Sequence, residues 1–327
     1  MWPAENALDI DLSIFRKAKL ARDDAARGSG GRITARTPYT VSDGDRNVIV
    51  LGYPNLADVR VLMIGIRNPR KRDPNDDGLA KSAVVWVNEL RLARIADHGG
   101  WAALASMNVK MADFGLLTLS GRMETPGFGA LESRVNNRAK ETTYQYDASS
   151  TLELGRFFPK KWEVSIPMFV GYGETFANPE YNPLDPDVPF KEALEHMPNA
   201  SARDSLRRIA QDYTRRRSIN FTNVRVNKVS RNPMIWDPAN FSLSYSYSEV
   251  NVRNVKTEYR NQINHRGAFA YAYNARPRSV EPLRKVKWLS SPYLALIRDF
   301  NFTYLPKQLS FRTEITRSYL EQRLRNI

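Results

Sequence analysis

Towards the end of the chain, bulky apolar residues and small residues take turns. In residues 241–248, Phe241, Leu243, Tyr245 and Tyr247 alternate with Ser242, Ser244, Ser246 and Ser248. In residues 268–273, Phe269, Tyr271 and Tyr273 alternate with Ala268, Ala270 and Ala272. Successive side chains of a strand point to opposite faces, so each run predicts a strand with one bulky face and one face of small groups. Earlier stretches read the same way. Residues 84–92 end with Leu90 and Leu92 set against Glu89 and Arg91, and residues 101–113 place Trp101, Ala103, Ala105, Met107, Val109 and Met111 opposite Ser106, Asn108 and Lys110. A turn at Gly115 joins that strand to Leu117, Leu119, Gly121 and Met123, giving a hairpin. Tyr144, Tyr146, Ala148, Leu152 and Leu154 form one more apolar face. These runs reach about ten residues or more, longer than the five or six usual in soluble sheets and enough for a tilted strand to cross a bilayer.

Other segments break the alternation. Residues 1–40 predict a short amphipathic helix with Leu8, Leu12 and Phe15 on one side, then a flexible basic and glycine-rich linker at 27–32. Within 41–82, the apolar runs 48–51 and 59–66 predict a strand pair, followed by a polar loop at 68–78. The Asp-x-Asn spacing in that loop invites a calcium reading, but no Glu closes a twelve-residue loop between helices, so it reads as a solvated turn. Prolines at 179, 183, 186 and 189 predict an extended loop holding neither ladder nor helix. Residues 191–217 then predict two helices broken at Pro198, with Pro189 at the first turn and Arg215-Arg216-Arg217 closing them. The resulting division is 1–40 helix and linker, 41–82 short strands and loop, 83–177 barrel strands, 178–217 loop and helical insertion, and 218–327 barrel strands. Alternation resumes at Leu309 and runs out at Ile327 without a turn signal, so the chain reads as an internal piece of a longer one.

Composition narrows the chemistry. With no cysteine there is no disulfide framework and no thiolate ligand, and the three histidines, His98, His196 and His265, stand in no metal-ligand spacing. No P-loop, G-x-S-x-G, G-x-G-x-x-G or H-E-x-x-H occurs, and the carboxylates Asp185 and Asp187 sit in the proline-rich loop with nothing to organise them. The expectation is a protein without catalytic residues, metal or cofactor. The formal net charge of +14 requires a partner, a solvated lumen or an anionic surface. No RNP, KH, helix-turn-helix or zinc-finger pattern supports nucleic acid, which leaves two classes: a membrane β-barrel, or a soluble basic β-domain that binds nucleic acid or polysaccharide. Aromatic placement favours the barrel, since Trp86, Trp101, Tyr144, Trp162, Tyr172, Trp236, Trp288 and Tyr293 fall near predicted strand ends, where barrels carry interfacial girdles.

Particular strings sharpen this choice. Val85-Trp86-Val87-Asn88-Glu89-Leu90-Arg91-Leu92, Gly99-Gly100-Trp101-Ala102-Ala103 and Met111-Ala112-Asp113-Phe114-Gly115 closely resemble the SprA family, also called Sov. The resemblance continues through Leu154-Gly155-Arg156-Phe157-Phe158-Pro159, Asn178-Pro179-Glu180-Tyr181-Asn182-Pro183 and Ser218-Ile219-Asn220-Phe221-Thr222-Asn223 to Tyr304-Leu305-Pro306-Lys307-Gln308. It covers most of residues 83–327, while residues 1–40 carry none of it. The resemblance implies an arc of a very large antiparallel transmembrane β-barrel with a helical insertion, in the outer-membrane protein-conducting translocon of type IX secretion. Its implied partners are outer-membrane lipid, folded cargo proteins and gliding adhesins, and plug and shuttle-barrel components. On that reading Ser242, Ser244, Ser246 and Ser248 face the lumen, while Phe241, Leu243, Tyr245, Tyr247, Phe269, Tyr271 and Tyr273 face outward. Arginine at 243 is then expected to impair assembly, and arginine at 244 to be tolerated.

Overall fold

The computed structural model describes residues 7–44, 46–66, 78–95, 98–134, 137–228, 234–275, 280, 282, 293, 295–303 and 306–326. In chain order, the elements begin with α1 (Ser13–Gly28), β1 (Tyr39–Asp43), β2 (Arg46–Val50), β3 (Ala102–Met111), β4 (Gly115–Glu124) and β5 (Glu141–Glu153). They continue with β6 (Val164–Ser165), β7 (Pro167–Pro179), β8 (Tyr181–Asn182), β9 (Asp185–Pro189), α2 (Phe190–Glu195) and α3 (Ala200–Ala210). Last come β10 (Asp212–Val226), β11 (Phe241–Arg253), β12 (Thr257–Asn274), a single helical turn, α4 (Ala295–Arg298), and β13 (Gln308–Leu324). The chain forms two compact units: Met1–Trp101 with Thr125–Thr142 and Pro179–Ala210, and Ala102–Glu124 with Thr143–Asn178 and Gln211–Ile327. No helix among the described residues is long and apolar enough to cross a membrane, which says nothing about crossing by strands.

The second unit is one antiparallel sheet with the order β13-β12-β11-β10-β7-β5-β4-β3, and the two-residue β6 pairs with β10 beside it. Each long strand neighbours the next long strand in sequence, so the chain runs up and down. The sheet does not close on itself among the described residues: β3 and β13 are its edges. The fold class is thus antiparallel β with few helices. The predicted hairpin is present, with Met111 opposite Gly115, but Gly115 opens β4 and the turn is made by Ala112, at φ 46°, Asp113 and Phe114.

The first unit holds the hydrophobic core. Leu20 of α1 packs with Val188, Phe190, Ala193, Leu206 and Ala210, all buried. The helix therefore begins later than its apolar pattern suggested. The Asp11 carboxylate accepts the Ser13 amide at 2.8 Å and ends the non-helical lead-in, so Leu8 and Leu12 lie ahead of the helix and are exposed. Residues 27–32 are the last residues of α1 and the turns after it, with Gly30 and Gly31 at φ 60° and 90°.

Several expectations are corrected here. β2 pairs with β1, Val48 opposite Val41, and not with residues 59–66, which form no strand. Residues 84–92 form none either: Glu89 sits at φ 49° and breaks the extended run, and no segment among the described residues supplies a ladder. Strand needs a hydrogen-bonded partner, which alternation alone does not provide. The proline-rich segment, expected to hold no ladder, forms the β8–β9 hairpin. Its register jumps from Asn182 opposite Asp185 to Tyr181 opposite Pro189, so Pro186 falls where no ladder bond is asked of it. α2 and α3 do break around Pro198, but Pro189 stands ahead of the first helical residue and Arg215-Arg216-Arg217 lie inside β10. The polar loop at 68–77, Trp288 and most of the basic segment 276–287 lie outside the described residues.

Candidate lipid-facing surface

Directly opposed residues in neighbouring strands share a face, so the register assigns every side chain of the sheet to one of two surfaces. One carries Phe241, Leu243, Tyr245 and Tyr247 of β11 opposite Tyr271, Phe269, Gly267 and His265 of β12. β12 continues it to β13, pairing Tyr271 with Phe311, Gly267 with Ile315 and Tyr273 with Leu309. On the other side β10 and β7 extend it through Ile219 and Val170, then Phe221 and Met168. Here large apolar side chains are left uncovered: Leu243 is 53% exposed, Phe311 57% and Ile315 74%.

The opposite surface carries Ser242, Ser244, Ser246 and Ser248 opposite Ala270, Ala268, Arg266 and Asn264. Next to them lie Arg312, Glu314, Thr316 and Ser318 of β13. Arg266 and Glu314 pair at 2.7 Å, and Ser318 donates to Asn264 at 2.7 Å. Where β7 crosses this surface its glycines leave room for polar neighbours. A Cβ on Gly173 would lie 2.5 Å from the Asp147 carboxylate, and one on Gly171 would lie 2.7 Å from the Ser218 hydroxyl. The sheet thus separates an apolar side from a hydrated side, and no other layer of this unit covers the apolar one: Ala177 is its one buried apolar residue among those described.

A β-bulge keeps the two surfaces apart. Register passes from Phe221 opposite Tyr245 to Val224 opposite Leu243, so β10 spends one extra residue, with Asn223 at φ 54°. Without it, every later β10 side chain would swap surfaces. The Ser244 hydroxyl accepts the Asn223 amide at 2.9 Å and holds the bulge. This serine therefore has a structural task, and arginine there is no longer expected to be harmless; Ser246 is the proper site for that comparison. Ser244→Ala is expected to cost about 1 kcal/mol, the usual worth of a hydrogen bond, read as a lowered temperature of heat modification on gels. No change in that temperature would mean the bulge stands without the serine.

Along the strands, the apolar surface ends in a belt that the alternation did not reveal. It lies where β10 and β12 begin and β7, β11 and β13 finish. Tyr172 and Tyr213 both donate to Glu174, at 2.5 and 2.8 Å. Tyr247 donates to Glu249 at 2.8 Å, and Tyr259 and Tyr319 donate to Glu321 at 3.0 and 3.2 Å. Arg217 lies over the Tyr172 ring and Arg253 over the Tyr213 ring, with guanidinium-to-centroid distances of 5.7 and 4.5 Å. Among the aromatics expected to mark strand ends, Tyr172 belongs to this belt. Trp86 lies outside any strand, and Trp162 and Trp236 lie in the segments after β5 and before β11.

Charge is also organised in the first unit. Lys19 of α1 is buried and donates to Asp185 at 2.5 Å and Asp187 at 2.8 Å, and Asp187 also accepts the Leu56 amide at 3.2 Å. The carboxylates read as unorganised are thus the anchor of α1. Burial works against the Lys19 charge, but the two carboxylates outweigh it and raise its pKa. Burial lifts Asp185 above its ordinary value despite Lys19. Burial also opposes ionisation of Asp187, yet Lys19, Asp185 and the Leu56 amide together hold it below. The remaining histidine contacts are His98 to Glu180 at 3.5 Å, His196 to Asp24 at 2.8 Å and His265 to Tyr245 at 3.0 Å. Among the described residues no group of three His, Asp or Glu is placed to hold a metal ion.

Comparison with known proteins gives one family. The family model SprA_N, described as motility related/secretion protein, matches residues 1–194, more than half of the chain. The match includes residues 1–40, which the sequence resemblance had left out. No curated protein matches the chain.

Proposed function

Since the chain belongs to the SprA_N family of motility related/secretion proteins, we propose that its long-stranded sheet is an arc of an outer-membrane β-barrel wall in the protein-conducting translocon of type IX secretion. One observation carries this reading: the sheet pairs a broad uncovered apolar surface with a hydrated surface and has almost no core of its own. Such a sheet is costly in water, where each buried large apolar side chain would be worth about 1.5–3 kcal/mol, and stable where lipid meets the apolar side. The dimensions agree. His265 to Tyr273 spans roughly 27 Å at about 3.4 Å per residue, or roughly 20 Å along the membrane normal at a barrel's usual tilt. The Tyr172, Tyr213, Tyr247, Tyr259 and Tyr319 belt then occupies one interface.

In this reading the serine and alanine surface faces water in a wide lumen. Small hydroxyls, amides and paired charges offer a folded, hydrated cargo protein no apolar patch to adhere to, so the wall contributes solvation and no catalysis. Cargo proteins and gliding adhesins pass on that side; lipid, with plug or shuttle-barrel components at some strands, meets the other. The test is fractionation of the native protein with gel mobility before and after heating. Recovery in the outer membrane as a large heat-modifiable species is expected; a soluble monomer would overturn the reading.

A further inference from the structure

The two ends of the apolar surface differ in charge. At one end the rows formed by Phe241, Tyr271 and Phe311 and by Tyr273 and Leu309 contain no ionisable group except tyrosine. At the other, the register sets Arg217 between Tyr172 and Glu249, Arg215 between Glu174 and Asn251, and Tyr213 between Phe176 and Arg253. Three guanidiniums thus share a patch with two carboxylates. Two of them are loosely paired: Arg215 approaches Glu249 only to 3.4 Å, and Arg217, exposed, acts on Glu174 and Glu249 through space without forming a close ion pair among the described residues. The Nε of Arg215 has no acceptor among them either. Tyrosine rings under Arg217 and Arg253 hold the guanidinium planes in place without neutralising them.

We infer that this patch binds the phosphate of anionic lipid headgroups, so that the belt selects the lipids around it at one interface. The guanidinium fork matches phosphate oxygens in pairs. The ligand is a lipid and not a free anion because the patch borders Ile219, Val170 and Tyr247, which would take the acyl chains of the same molecule. The inference rests on the membrane reading above, and the experiment separates the two. Full-length protein is reconstituted into vesicles of phosphatidylcholine mixed with phosphatidylglycerol, extracted in native lipid discs, and the lipids retained are measured against the bulk vesicle.

Phosphatidylglycerol should be enriched severalfold around the protein, and R215Q/R217Q should bring its share back close to the bulk proportion. Arg260→Gln, an exposed arginine of β12 on the hydrated surface, should leave it unchanged. Should the double substitution fail to insert, Arg217→Gln against Arg217→Lys gives the same readout, with lysine retaining most of the enrichment. Incorporation without enrichment, or enrichment that survives loss of the arginines, overturns the inference and leaves the membrane reading intact. Enrichment abolished by inorganic phosphate assigns the patch to a free anion and overturns the lipid source. Failure to enter vesicles of any composition overturns the membrane reading itself.

Discussion

Leu243→Arg is expected to abolish recovery of the protein as a heat-modifiable outer-membrane species, while Ser246→Arg leaves it in place. The two positions are three residues apart on β11, so local strand propensity is nearly the same for both substitutions; the difference lies in which surface each presents. Leu243 is 53% exposed among Val224, Phe269 and Tyr245 on the apolar side. If the sheet is the proposed barrel wall, an arginine in the middle of that band meets hydrocarbon at a cost of about 2–4 kcal/mol. Ser246 lies between Asn220 and Arg266 on the hydrated side, where a further guanidinium remains in water and Glu314 stands two strands over, on β13. Equal tolerance at the two sites would mean that neither surface contacts lipid.

The second large effect is expected in the helical unit. Lys19→Met removes the cation between Asp185 and Asp187, leaving a carboxylate that is 3% exposed beside a second one. Breaking a buried ion pair from one side costs about 3–5 kcal/mol, and a core of Leu20, Val188, Phe190, Ala193, Leu206 and Ala210 is too small to absorb it. Amide hydrogen exchange in α3 of the full chain should lose its protection. The pH dependence identifies the cause. In the native cluster the Asp187 pKa is lowered, so its stabilisation is present above the ordinary carboxylate value and is lost as pH falls through the lower folded value. Asp185 is raised, so its ionised form costs stability near neutrality, and the cost is relieved on mild acidification. With Lys19 gone, both carboxylates gain stability by taking up protons, and the penalty of Lys19→Met should shrink as pH falls from neutral. A penalty independent of pH would assign the loss to packing alone. By the same logic Asp187→Asn should be more harmful than Asp185→Asn at neutral pH.

Where a strand had both an alternating pattern and a neighbour of matching length, periodicity was enough to place it. β3, β4, β5, β11, β12 and β13 stand where the alternation put them, because side-chain period and hydrogen-bond ladder agree there. Residues 59–66 and 84–92 alternate or are apolar just as clearly, yet form no strand, because a ladder is a relation between two segments and a single segment cannot supply it. The opening of β10, residues 212–217, reads as helix for the reverse reason. Its outward positions include Arg215 and Arg217, which look like the basic end of a helix until Glu174, Glu249 and the tyrosine rings are set beside them. α1 was displaced because two of its four buried residues, Lys19 and Arg22, are charged and count as solvent-facing in any reading of hydrophobicity.

The sequence by itself determined that this protein is built on long antiparallel strands, that several of them alternate an apolar face with a polar or small one, and that a two-part helical insertion interrupts them after the proline-rich segment. These properties depend on residues a few positions apart, where the geometry of strand and helix leaves little choice. Only the tertiary structure decided that one surface of the sheet goes uncovered, that a bulge held by Ser244 keeps it continuous, and that tyrosines, glutamates and arginines from five strands meet in one belt. It also decided that Lys19 reaches Asp185 and Asp187 across more than a hundred and sixty residues of chain. Those features are sums over register and burial, set by which distant segments come to lie side by side.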